Sequence, residues 1–187
     1  MKPSNLIVAA AALGSLPALV SCTRDETRAA PTPSAKLEPA TCGQVQRLHT
    51  LGGVFLASQP SSEDFQHARE AGIECVLDLR MPDEERGFDE PARVEELGMT
   101  YVPLGFKAAD TLTDEVIDRS RELMRGSADQ PLMVHCASAN RVGAVWLAYR
   151  VLDGDSSWDA ALAEAKTVGL MSPEYEAKVE DYVERHR

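Results

Sequence analysis

A cysteine followed five positions later by an arginine occurs three times in this chain, as Cys42…Arg47, Cys75…Arg80 and Cys136…Arg141. A thiolate attacks electrophiles when its surroundings favour the charged form, and a guanidinium offers a planar fork to the oxygens of a tetrahedral oxyanion. With four cysteines and 14 arginines among 187 residues, the spacing alone selects nothing, so the setting of each pair decides. Cys75 and Arg80 flank an apolar extended run; five extended residues separate them by about 16 Å and put them on opposite faces. Cys42 and Arg47 bracket an extended segment with no helix behind it. Only Cys136 sits where an apolar strand turns into an apolar helix, in His135-Cys136-Ala137-Ser138-Ala139-Asn140-Arg141. At such a turn successive peptide N–H groups point into one hollow, and the helix dipole favours an anion, including a thiolate. The plainer alternative is a buried cysteine followed by an arginine lying along a helix start. Ala137, Ser138 and Ala139 suit a tight anion cradle and an ordinary turn equally.

The surrounding elements must hold that turn. Residues 45–49 and 54–57 read as short strands around the turn signal Leu51-Gly52-Gly53. Ser61 or Ser62 can cap a helix running to residue 71, stopped by Gly72. Residues 73–79 form a strand apolar on both faces, as a covered parallel strand requires. A charged loop over 80–87, a helix over 90–97 and a strand over 100–104 follow. Thr111 or Thr113 caps a helix to residue 125, and Pro131 introduces the strand 132–135. After the cysteine turn come an apolar helix over 142–152, a helix over 156–168, and a last one opened by Ser172-Pro173. This alternation predicts an α/β fold with a mostly parallel central sheet of four to five strands flanked by helices.

The stretch from residue 99 to 152 resembles the core of dual-specificity, protein-tyrosine-phosphatase-like enzymes. The resemblance rests on Tyr101-Val102-Pro103-Leu104-Gly105-Phe106-Lys107-Ala108-Ala109-Asp110-Thr111, a following helix, and Leu132-Met133-Val134-His135-Cys136 with the basic loop arginine. Upstream, Ser58-Gln59-Pro60-Ser61, Cys75-Val76-Leu77-Asp78-Leu79-Arg80 and Glu84/Glu85 resemble the bacterial beta-lactamase-hydrolase-like phosphatase-like domain. Together the similarity spans about residues 45–155. It implies a cysteine-phosphatase-like fold and hydrolysis of a phosphorylated substrate through a phosphocysteine, without cofactor or metal. Cys136 would be the nucleophile. Arg141 and the amides of Ala137, Ser138, Ala139, Asn140 and Arg141 would hold the phosphate, with His135 orienting the loop. Asp110, 26 residues before the cysteine, would act as general acid; it reads equally as a polar residue ahead of a helix cap. Asp78, inside a strand, fits a buried acid paired with Arg80 or another base.

The chain departs from the phosphatase pattern in three places. Four residues separate Cys136 from Arg141 where most such phosphatases have five. Ala139 stands where the related subfamily has Gly, so a left-handed backbone there is strained. Val142 replaces the usual hydroxyl residue. The shorter loop resembles the rhodanese-type sulfurtransferases, whose reaction needs no Asp110. A third reading is a non-catalytic lipoprotein that binds an anion or a partner.

The first residues do not read as part of the fold. Lys2 precedes an apolar run from residue 6 to 20, too short to span a bilayer comfortably and laid out as a secretory signal. Its end, Leu19-Val20-Ser21-Cys22, resembles the lipobox of bacterial lipoproteins. That implies removal of 1–21, acylation of Cys22 and export to the periplasmic face of a membrane, with outer-membrane sorting implied by Thr23. Residues 22–41, rich in Pro, Ala and Thr, read as a flexible tether, leaving 42–187 as the domain. The 44% apolar and 26% charged composition suits one sizeable core, and a net charge of −11 argues against a nucleic-acid partner. No cluster with metal-ligand spacing is visible.

Overall fold

The protein is described from a computed structural model covering residues 36–187. Its six strands are β1 (Glu38–Pro39), β2 (Leu48–Leu51), β3 (Val54–Ala57), β4 (Cys75–Asp78), β5 (Thr100–Pro103) and β6 (Leu132–His135). They form one sheet in the order β1-β2-β3-β6-β4-β5. The four neighbouring strands β3, β6, β4 and β5 run parallel; β2 pairs antiparallel with β3, and β1 antiparallel with β2. The sheet therefore has one strand more than the upper expectation. The extra one lies inside the segment read as a tether: Glu38–Pro39 pairs with β2, and Leu37 packs on the core. Pro39 is tolerated there because an edge strand can lack a donor. The signal segment and Cys22 lie outside the described residues.

Among the described residues six α-helices cover the sheet: α1 (Ser62–Glu70), α2 (Glu90–Glu96), α3 (Asp114–Arg125), α4 (Asn140–Leu152), α5 (Trp158–Val168) and α6 (Pro173–His186). Local signals start them. Ser61 and Asp64 close a capping box on α1, and the Thr113 and Ser157 hydroxyls cap α3 and α5. Strand residues alternate between two cores. Met133 and Val76 pack with Phe65, Ala68 and Val94 under α1 and α2, whereas Val134, Leu132 and Leu77 pack with Ile117, Trp146 and Tyr182 under the other four helices. Each fully buried large side chain among them contributes about 1.5–3 kcal/mol.

The α4 helix is buried from Arg141 through Ala148. It packs this closely because of Gly143: a Cβ there would stand 2.8 Å from the Ala165 carbonyl oxygen and from Leu170 Cβ. Register then decides where chemistry can occur. Ala57, His135, Asp78 and Pro103 are neighbours across the C-terminal edge of the parallel strands. The next residue of β6 is Cys136. Sites in open parallel sheets form beyond that edge.

Candidate active site

Cys136 lies between β6 and α4 and is 1% exposed; Arg141, in the first turn of α4, is 8% exposed. The turn joining them works because Ala139 takes the left-handed conformation, with φ 70° and ψ 3°. An L-residue held there costs about 1–2 kcal/mol. Its methyl is fully buried, and Gly169 (φ 144°) makes room for it: a Cβ on Gly169 would meet Ala139 Cβ at 3.1 Å. The Asn140 side-chain carbonyl accepts from the amides of Met171 (2.7 Å) and Ser172 (3.2 Å), which ties the loop before α6 to the same turn. The Asn140 side chain is thus spent on structure, and only its amide faces the task expected of it.

Among the described residues, the amides of residues 137–142 donate to no protein acceptor. Some of this follows from any helix start, but here the vacant donors run continuously from the residue after Cys136 past Arg141. Ala137 and Ser138 are exposed, so the hollow opens to solvent.

Arg141 is held on several sides. Its Nη1 donates to the carbonyls of Leu79 (3.1 Å) and Phe106 (2.8 Å), and its two terminal nitrogens meet the Glu84 carboxylate at 2.6 and 2.8 Å. Burial weighs against the guanidinium charge, but Glu84 and the Cys136 sulfur hold its pKa above the ordinary arginine value. The same Arg141 bonds, against some burial, bring the Glu84 carboxyl down to about 2.

Beneath the turn lies a buried charged cluster. His135 Nε2 is 3.0 Å from Glu90 Oε1 and 3.8 Å from Asp78 Oδ1, and all three side chains are fully buried. Asp78 accepts from Arg86 (2.6 Å), from the Tyr101 hydroxyl (2.7 Å) and from the Arg80 amide (2.8 Å). Burial opposes its charge, but His135, Tyr101 and Arg86 together hold its pKa below the usual range. The pairing base is Arg86, with Arg80 contributing only its amide. Asp78, Glu90 and His135 bring potential ligand atoms within 4.8 Å of one another, a grouping that sequence spacing does not show. Arg86, 2.6 Å from Asp78 and 3.9 Å from Glu90, already supplies a cation there.

Asp110 is exposed, in a turn closed by Thr111, whose Oγ1 accepts from the amides of Lys107 and Ala108 at 3.0 Å. It makes no hydrogen bond or ion pair among the described residues. Its loop reaches the site through the Phe106 carbonyl on Arg141, and the Tyr175 hydroxyl donates to the Lys107 carbonyl at 2.7 Å. A cleft of about 730 Å³ is walled by Pro82, Phe88, Tyr101 and Pro103 and includes Arg80 and Glu84, the second of which contacts Arg141. Cys42, Cys75 and Cys136 are all free thiols. Burial pushes the Cys75 thiol up, and burial with Asp64 does the same to Cys42. Arg47, set aside from sequence, comes close after all: its Nη1 lies 3.2 Å from the point where a Gly169 Cβ would touch Ala139.

No family model matches the chain, and no curated protein matches it. Solved structures do. A phosphatase candidate of the DUF442 group from Shewanella putrefaciens CN-32 superposes with a TM-score of 0.65 at 18% identity, covering 76% of this chain and 95% of the other. A Cys-to-Ser variant of P. aeruginosa TpbA in complex with phosphotyrosine gives 0.61 at 19% identity, covering 80% and 88%. A phosphatase candidate from Neisseria meningitidis z2491 gives 0.56 at 18%, covering 79% and 98%.

Proposed function

The chain has the fold of these phosphatase-like proteins, and we propose that it is a cysteine-dependent phosphohydrolase acting on phosphate monoesters. The observation that carries this reading is the continuous run of unengaged amides from residue 137 to 142, between a buried thiol and a buried guanidinium. That arrangement suits a group with several anionic oxygens around one electrophilic atom. Cys136 Sγ attacks phosphorus in line; the S–P bond forms as the ester P–O bond breaks, and the leaving oxygen takes the Asp110 proton. The Asp110 carboxylate then takes a proton from water, whose oxygen attacks phosphorus and releases phosphate and the thiolate. The amides and Arg141 hold the equatorial oxygens throughout.

The test is hydrolysis of p-nitrophenyl phosphate by residues 36–187 without added metal, with Cys136→Ser expected to abolish it. Full activity in that variant removes the mechanism. A sulfurtransferase is the second reading, favoured by the four-residue spacing between Cys136 and Arg141. Thiocyanate formation from thiosulfate and cyanide, in place of phosphate release, would establish it.

The reading extends to the N-terminal residues. Acylation of Cys22 would hold the protein on the periplasmic face of a bacterial membrane, the outer one by the Thr23 rule, and its acidic surface turns nucleic acid away. Among the described residues no helix is long and apolar enough to cross a membrane. Palmitate labelling that disappears in Cys22→Ala, with release into the soluble fraction, is the expected outcome; soluble wild type contradicts it.

A further inference from the structure

Gln59 joins the two ends of the cysteine turn. It follows β3, and its backbone amide donates to the Ala137 carbonyl at 3.3 Å. Its side-chain nitrogen donates to Glu90 Oε2 at 2.6 Å, and its side-chain oxygen accepts from Arg80 Nη1. Two branches leave from there. Glu90 Oε1 lies 3.0 Å from Nε2 of His135, the residue before Cys136, a buried close approach without hydrogen-bond geometry. Arg80 reaches Glu84 at 3.3 Å, and Glu84 grips Arg141. The amide orientation is forced, because one end must donate to a carboxylate while the other accepts from a guanidinium. A glutamate at 59 would oppose Glu90, and a cationic residue would oppose Arg80.

We propose that Gln59 is a positioning residue that couples His135 to Arg141, so that the cradle behind the nucleophile and the guanidinium in front of it are set together. This rests on the phosphatase reading for its kinetic form only. The guanidinium must sit where transition-state charge develops, so loosening it lowers kcat more than it raises KM.

The experiment compares wild type, Gln59→Met, Glu84→Gln and the double variant, with Gln59→Glu as a charged control and thermal melts to confirm folding. On p-nitrophenyl phosphate, Gln59→Met is expected to lower kcat about 10-fold with KM changed less than about twofold, and Gln59→Glu to lower it further. The double variant should lose clearly less than the product of the two single losses, because both act through Arg141. Multiplicative losses, or a Gln59→Met rate equal to wild type, overturn the coupling. If wild type hydrolyses no phosphate ester, the phosphatase reading fails and a second readout still decides. The ratio of Cys136 alkylation rates by iodoacetate and iodoacetamide reports the guanidinium beside the sulfur. It should fall severalfold in Gln59→Met, which changes no charge, and fall less when Gln59→Met is added to Glu84→Gln. An unchanged ratio overturns the proposal, and a Cys136 inert to both reagents overturns both readings.

Discussion

Glu84 meets the Arg141 guanidinium end-on, its two carboxylate oxygens 2.6 Å from Nη1 and 2.8 Å from Nη2. The pair fixes the rotation of the guanidinium plane, which a single bond would leave free, and the carbonyls of Leu79 and Phe106 fix its depth. Among the described residues Nε donates to no acceptor, so an arginine held in this way keeps its Nε–Nη2 edge for an oxyanion and is oriented before any ligand arrives, which is the pre-organisation such a site needs.

The same pair has a pH signature. Glu84 titrates at about 2 in the folded chain, below an ordinary glutamate at about 4.3. Its contribution to stability is fully present above the unfolded value and is lost as pH falls through the folded one. Glu84→Gln removes that dependence. Melting temperatures measured from pH 6 to pH 2 should therefore converge for wild type and variant in the acid range, with wild type the steeper curve. Parallel curves would show that the pair is not linked to folding.

Arg86 compensates charge buried under the cysteine turn. Its side chain is 10% exposed, and Asp78 is fully buried. In Arg86→Met, Asp78 keeps the Tyr101 hydroxyl and the Arg80 amide but loses its cation. Breaking a buried pair costs about 3–5 kcal/mol, and the loss should fall near the lower end because those hydrogen bonds survive. Urea denaturation at pH 7 measures it. The deficit should shrink toward acid pH, where protonating Asp78 relieves the unpaired charge. A deficit constant from pH 7 to pH 4 would mean that lost packing dominates.

What could be read from the sequence was local. Ser61 and Thr113, each one of two candidate caps, sit at helix starts because a hydroxyl there satisfies an orphan amide, whatever the rest of the chain does. The apolar run into Cys136 and the helix behind it are likewise local, and the α/β layering follows from their alternation. The partners were not legible. Glu84, Arg86 and Glu90 belong to a stretch that reads as a solvated charged loop and α2, yet Glu90 is fully buried because parallel pairing of β4 and β6 carries His135 over it. Asp78, Glu90 and His135 meet across 57 residues of sequence, a separation no ligand-spacing rule covers. Arg47 has no helix of its own; as the residue before β2 it is carried to Gly169, at the end of α5. The two-residue strand β1 carried no apolar period at all, and only pairing with β2 reveals it.

Gly143 tests how far packing behind the turn sets its geometry. A methyl there would stand 2.8 Å from the Ala165 carbonyl oxygen, Leu170 Cβ and the Leu170 amide nitrogen, two of which are backbone and cannot rotate away. Alanine favours helix over glycine by about 1 kcal/mol, but overpacking costs about 1–3 kcal/mol. Gly143→Ala should be destabilised by about 1–2 kcal/mol in chemical denaturation, the clash winning. Because Gly143 lies two residues beyond Arg141, kcat should fall alongside. A stabilised variant would show that α4 and α5 can separate without strain.

Asp110 carries the last test, since nothing in the fold engages it. It is exposed in a turn shaped by Thr111, on a loop whose Phe106 carbonyl touches Arg141. A proton donor matters in proportion to how badly the leaving group needs one. p-Nitrophenolate departs readily unprotonated, whereas an alkoxide does not. Asp110→Asn should therefore lower kcat on an alkyl phosphate by about 10²-fold while lowering it much less on p-nitrophenyl phosphate. Equal losses on both substrates would place Asp110 in loop structure, and no loss on either would move the acid to another residue. Thr111→Val separates these cases: it removes the hydroxyl that folds the turn and leaves the carboxyl, so it should lower both rates together.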